Sequence, residues 1–160
     1  EEKMPPIFRI CRRTNFCGKW IYHGGWYPDF LNRLYQKNKA KWSTPPVHEE
    51  LIPQSTDLTI GKLKGDLNHY SFPSIRSQIT TNLKYAELGA LALLKKKGRP
   101  PTLLAAIFRP IGKFIECYLI KKGFLDGQMG LIIAINAAYS MFMKYSFARY
   151  GIERDDKNRS

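Results

Sequence analysis

Two hydrophobic periods divide the chain. Up to about residue 70, apolar and polar positions alternate in short runs; from Ser71 onward apolar positions recur every three or four residues. Ile7-Phe8-Arg9-Ile10-Cys11-Arg12 interleaves apolar and basic side chains, which predicts a strand with one wet face. Trp20-Ile21-Tyr22 is a second short run, stopped by His23-Gly24-Gly25. Phe30 to Tyr35 reads as a third strand that presents Leu31, Arg33 and Tyr35 on one face, and Lys37 to Lys41 as a basic turn. Pro45-Pro46 breaks the chain before Val47-His48-Glu49-Glu50-Leu51. Pro53, Gly61 and Gly65 predict loop with a brief strand over 53–65, and Leu67 to Tyr70 leads into Ser71.

The second period predicts three helices. Ser71 or Ser74 caps the first, and Ile75, Ile79, Leu83, Ala86, Ala90 and Leu94 line one face as far as Lys97. Gly98 ends it, after three lysines that suit the negative end of a helix. A second helix is expected from about Pro101 to Lys122, bent at Pro110, with Arg109, Lys113 and Glu116 on a polar stripe. Gly123 stops it, and Asp126 is the expected N-cap of a third helix over about Gly127 to Tyr150. The fold class is therefore α/β followed by a three-helix amphipathic region. The expected units are 1–70, 71–152 and a polar tail, 153–160.

Charge adds a partner to this picture. The formal net charge is +13, and the stretch from Lys84 to Arg149 holds 11 Lys/Arg against 3 Asp/Glu. That stretch is also the most apolar, and the combination points to an anionic membrane surface. Nucleic acid is not expected, because no RNP, KH or zinc-finger pattern is present and the basic residues interleave with bulky aliphatics. The longest apolar run, 130–143, has 14 residues and contains Asn136, short of the roughly 20 that cross a bilayer. Cys11, Cys17 and Cys117 match no zinc spacing and read as reduced thiols of a cytoplasmic protein. No signal peptide is read at the start.

Several residues offer chemistry, each with a plainer alternative. Glu49 or Glu50 is a general base if it reaches an acceptor hydroxyl, or else a solvated turn. His48 precedes them, and HExxH is excluded because position 52 is Ile. Gly24-Gly25-Trp26-Tyr27-Pro28-Asp29 combines paired glycines, flat aromatic faces and a carboxylate that suit a sugar ring, or forms a tight aromatic turn packed on the core. Arg33 holds a phosphate or carboxylate, or pairs with Asp29. His69 is a single imidazole for a divalent metal, or a hydrogen-bonded structural residue.

The order of these features resembles the bacterial family 2 glycosyltransferases that extend lipopolysaccharide core or related surface glycans. The resemblance is carried by Gly18 to Asp29 with Arg33-Leu34-Tyr35, by Val47-His48-Glu49, by Leu67-Asn68-His69-Tyr70-Ser71, and by Gly123-Phe124-Leu125-Asp126-Gly127 with Lys144-Tyr145. It spans about residues 7–150.

The resemblance implies the C-terminal portion of a GT-A domain and inverting transfer of a hexose from a nucleotide sugar to a glycan or lipid-linked acceptor. Glu49 matches the catalytic base. His69 matches a histidine that helps hold Mg²⁺ or Mn²⁺ on the donor diphosphate, and Gly24, Gly25, Trp26, Tyr27, Asp29, Arg33 and His48 fall in the substrate-binding stretches. UDP-glucose, UDP-galactose and an N-acetylhexosamine donor all fit. The family's DxD carboxylates are absent, since no Asp-x-Asp occurs in the chain. The donor-binding half is thus expected to lie outside it, and the chain alone is expected to be inactive. A lipid-linked acceptor implies a peripheral position on the inner face of the cytoplasmic membrane. The competing reading is a nonenzymatic basic module that binds a membrane surface or a partner protein.

Overall fold

In the computed structural model, residues 4–43, 51–55 and 59–151 are described. Strands come first: β1 (Ile7–Phe16), β2 (Lys19–Trp20), β3 (Asp29–Tyr35), β4 (Ala40–Trp42), β5 (Leu51–Pro53) and β6 (Ile60–Phe72). Helices follow: α1 (Ile75–Lys97), α2 (Leu103–Ile115) and α3 (Gln128–Tyr150). The molecule is mixed α/β, with two small sheets and three α-helices, and the change from strand to helix falls between Phe72 and Ile75.

β1 organises the larger sheet. It pairs antiparallel with β3 and, at its far end, with β2; β6 runs parallel to it along the other edge. β4 and β5 form a separate antiparallel ladder in which Trp42 faces Leu51. Ile7, Ala40 and Leu51 are buried together, with Tyr35 packed on them, so the small ladder closes one end of the large sheet.

β6 is longer than the sequence predicts, because its glycines have structural uses other than loop-making. Between Arg9 and Cys11 of β1 the partner on β6 jumps from Lys62 to Asp66, a bulge that holds Gly65 at φ +87°. Gly61 lies under the Phe8 ring, whose Cδ1 would stand 2.5 Å from an added Cβ. The strand therefore continues through both glycines. Conversely, the predicted run Trp20-Ile21-Tyr22 contributes only Trp20 to a strand, and the last two residues of the expected basic turn, Ala40 and Lys41, belong to β4.

The helices form a layer that shares a core with the strands. Ser74 caps α1 in a reciprocal capping box with Ser77, and Gly98 closes it at φ +65° with its N–H on Leu94 O. Thr102 caps α2, which runs through Pro110. The expected second helix then changes character. Glu116–Ile120 winds as a π-turn, with the Lys121 N–H on Glu116 O, and Gly123–Asp126 as a 3₁₀ turn. The turn is braced by Glu116, which accepts from Lys113 Nζ at 3.0 Å and Lys121 Nζ at 2.5 Å. Those two lysines, Lys121 first, hold its carboxyl below the usual range.

α3 is 23 residues long and apolar enough by length and composition to cross a membrane, although the uninterrupted apolar run within it is shorter. Part of its surface is committed inside the protein. Ile133 is buried against Phe16 and Ile21, with Trp26 and Phe72 packed around them. Asn136, which interrupts the run, donates to Gln78 Oε1 at 2.5 Å, a buried bond that ties α3 to α1. At its start, Gly130 is pressed so closely on the Gly123 carbonyl that a side chain there has no room.

Candidate functional site

Strand pairing builds one polar face from three strands. Arg12 faces Asp29 across the β1–β3 ladder and Leu67 across the β1–β6 ladder; Thr14 faces His69. The period of two places Arg12 and Thr14 on one face of β1, Asp29 and Arg33 on one face of β3, and Leu67 and His69 on one face of β6. This face opens into a cleft of about 660 Å³ lined by Arg12, Thr14, Gly25, Trp26, Asp29, His69, Tyr70, Ser71, Phe72, Thr81 and Tyr85. Thr81 and Tyr85 come from α1, so a helix forms one wall and the sheet the floor.

Charge in the cleft is balanced locally. Arg12 grips Asp29 Oδ2 through Nη2 at 2.5 Å and Nε at 2.8 Å. The sequence offered Arg33 as a partner for Asp29; the structure gives that place to Arg12, which stands directly opposite in register. The Arg33 guanidinium lies 5.8 Å from the Trp42 ring centroid instead. Desolvation pushes His69 below its ordinary imidazole range, the positive charges of Arg12 and Arg33 push it further, and Asp29 opposes them.

The sign of this shift gives a testable outcome. His69 binds fewer protons folded than unfolded, so its contribution to stability is present above the ordinary imidazole range. It is lost as pH falls through the lowered value. The Arg12→Gln variant removes a positive neighbour and frees the Asp29 carboxylate, and both changes favour protonation. An NMR titration of the His69 ring should show a midpoint below 6.5 in the parent, and a higher one in Arg12→Gln. A parent midpoint at or above the ordinary value contradicts the arrangement.

The glycine-aromatic turn is held from behind. The Gly24 N–H donates to Lys121 O at 2.9 Å, the Trp26 N–H to His23 O at 3.1 Å, and both glycines have positive φ, +67° and +84°. Gly24 is buried against the π-turn, while exposed Gly25 reaches the cleft. Asp126 does not cap α3; Gly127 stands at the cap and makes no side-chain bond. The Asp126 carboxylate turns back to the segment between β2 and β3. It accepts from the backbone N–H of His23 at 2.8 Å and of Tyr22 at 3.2 Å, and meets His23 Nδ1 at 3.0 Å. Two stretches about a hundred residues apart in sequence thus lock together.

The sequence-predicted residues are divided by this geometry. Gly25, Trp26, Asp29 and His69 line the cleft. Trp26 also packs edge-on against Phe16, with ring centroids 5.9 Å apart, and at a tilt against Phe72 at 5.7 Å, so part of its ring is core. Tyr27 lies on the opposite side of the sheet, beside a second recess of about 480 Å³ with Cys11, Phe30, Lys62 and Asp66. Its hydroxyl reaches Asp66 at 3.4 Å, and desolvation followed by that carboxylate pushes the phenol up. His48 and Glu49 lie outside the described residues.

Arg12, Thr14, Tyr70 and Tyr85 were not among the predicted site residues. For Arg12 the signal was present in the basic alternation of β1; for Tyr85, on a helix, only tertiary packing reveals it.

No group of three or more His, Cys, Asp or Glu among the described residues comes close enough to hold an ion. His69 offers one neutral imidazole, and Asp29 is already engaged by Arg12. These residues do not complete a metal site. No family model matches the chain, and no solved structure matches it significantly.

Proposed function

We propose that the chain is the acceptor side of a GT-A-type, family 2 inverting glycosyltransferase acting on a lipid-linked or lipopolysaccharide-core glycan. The observation that carries this is the cleft over β1, β3 and β6. Its volume lies in the range of about 300–1,000 Å³ typical of small-ligand sites. It joins aromatic walls, which suit the apolar faces of sugar rings, to charged groups fixed by strand register.

In this reading the acceptor hydroxyl oxygen attacks the anomeric carbon of the donor hexose. The new C–O bond forms on the face opposite the breaking bond to the diphosphate, so configuration inverts. Glu49 takes the hydroxyl proton. Trp26 and the Arg12–Asp29 pair orient the acceptor sugar. In the complete enzyme Mg²⁺ or Mn²⁺ would neutralise the departing diphosphate, with His69 as one neighbour. The remaining ligands would come from a donor-binding half. The enzyme would work at the inner face of the cytoplasmic membrane, where lipid-linked acceptors are made.

The test is transfer of labelled hexose to a lipopolysaccharide-core acceptor from UDP-glucose, UDP-galactose and UDP-N-acetylhexosamines. The chain alone should give none. Joined to a nucleotide-sugar-binding half of the same family, it should transfer from one of these donors. Failure with all of them would favour the nonenzymatic basic module.

A further inference from the structure

α2 carries a surface that the cleft does not use. Leu104 is 65 % exposed, Phe108 64 % and Ile111 50 %, and they follow one another at helical spacing on its outer face, with Leu103 and Ile115 extending the stripe. The opposite side of the helix is occupied, because Ala106 is buried and α2 packs along α3. An apolar stripe this large on a short helix is the pattern of a surface that meets another apolar phase.

Charge identifies that phase. From residue 88 to residue 115 there are six Lys/Arg and no Asp/Glu. Lys95, Lys96, Lys97 and Arg99 sit at the end of α1 and in the turn that leads into α2. Arg149, in the last turn of α3, donates to Pro101 O at 3.0 Å and so belongs to the same end of the helical layer. A second copy of the chain would bring two such clusters together without an acid in the segment to offset them. A helix of 13 residues spans only about 20 Å, too short to cross the roughly 30 Å hydrocarbon core. It can lie in the plane of the headgroups, its apolar stripe down and its cations beside lipid phosphates.

We infer that the outer face of α2 is a docking surface for an anionic lipid bilayer, entered by Leu104, Phe108 and Ile111 and flanked by the cations of residues 95–99. The inference stands on the α2 face and the cations beside it, and holds or fails independently of the transferase reading.

Flotation of the chain with phosphatidylcholine vesicles, with and without about 30 % phosphatidylglycerol, tests it. Retention should be at least about tenfold stronger on the anionic vesicles and should weaken with added salt. The Phe108→Trp variant should shift its emission to the blue on binding and be quenched by brominated acyl chains. The Leu104→Ser/Phe108→Ser double variant should melt at the parent temperature, since both side chains are exposed, and lose at least about tenfold in retention. Three outcomes overturn the inference: equal or no retention on anionic vesicles, an unquenched Phe108→Trp, or a dimer in solution that the double variant abolishes while vesicle binding is absent.

Discussion

Replacing Asp126 with alanine should destabilise the protein by about 3 kcal/mol, a fall in Tm of roughly 6–12 °C for a chain of this size. The carboxylate is 6 % exposed and makes three contacts: the N–H groups of Tyr22 and His23 and the His23 ring. Alanine removes the acceptor and leaves two donors without it. Hydrogen bonds to charged groups contribute about 1.5–3 kcal/mol each, and their loss is not additive. The damage should be local first. Amide exchange at Tyr22, His23 and Gly24 should accelerate, because the turn then rests mainly on the Gly24–Lys121 bond. Asp126→Asn keeps an acceptor oxygen and should retain part of the stability. A melting curve within about 0.5 kcal/mol of the parent would show that the contact does not hold the turn.

The second large effect falls on chemistry. In the chain joined to a donor-binding half, Glu49→Gln should cut hexose transfer by at least about a hundredfold, within the 10²–10⁴ range of general base catalysis. Glutamine preserves shape and hydrogen bonding but cannot accept the hydroxyl proton at neutral pH. The folded fraction and nucleotide affinity should stay at parent values, which separates loss of a base from loss of structure. Turnover within a few fold of the parent would remove Glu49 from the reaction and leave the cleft as a binding surface.

Where local rules decide, the sequence was legible. The capping serine at position 74, the closing glycine at position 98 and the alternation of β1 are set by near neighbours, and they lie where the residue pattern places them. The discrepancies arise where a distant contact overrides a local preference. Gly61 and Gly65 read as loop because neither the Phe8 ring nor the bulge opposite Arg9 and Cys11 is visible in one dimension. Asp126 has the position and chemistry of an N-cap, but three partners in the turn after β2, the N–H groups of Tyr22 and His23 and the His23 ring, claim its carboxylate.

The same distinction applies to the site. Asp29 and Trp26 belong to a stretch whose composition suits a sugar, yet Tyr27, in the turn before β3, lies beside the other recess. The partner of Asp29 was decided by β1–β3 register, which favoured Arg12 over the nearer Arg33. Tyr85 becomes part of the cleft only because α1 packs over the sheet.

Adding a lipopolysaccharide-core oligosaccharide to the isotopically labelled chain asks directly which face of the sheet meets sugar. The shifts that move should be the Trp26 indole, the His69 ring and the Tyr85 ring, on the side where Arg12 grips Asp29. Silence across these rings, or movement confined to Tyr27, Phe30 and Lys62 on the other face, would contradict the acceptor-side assignment.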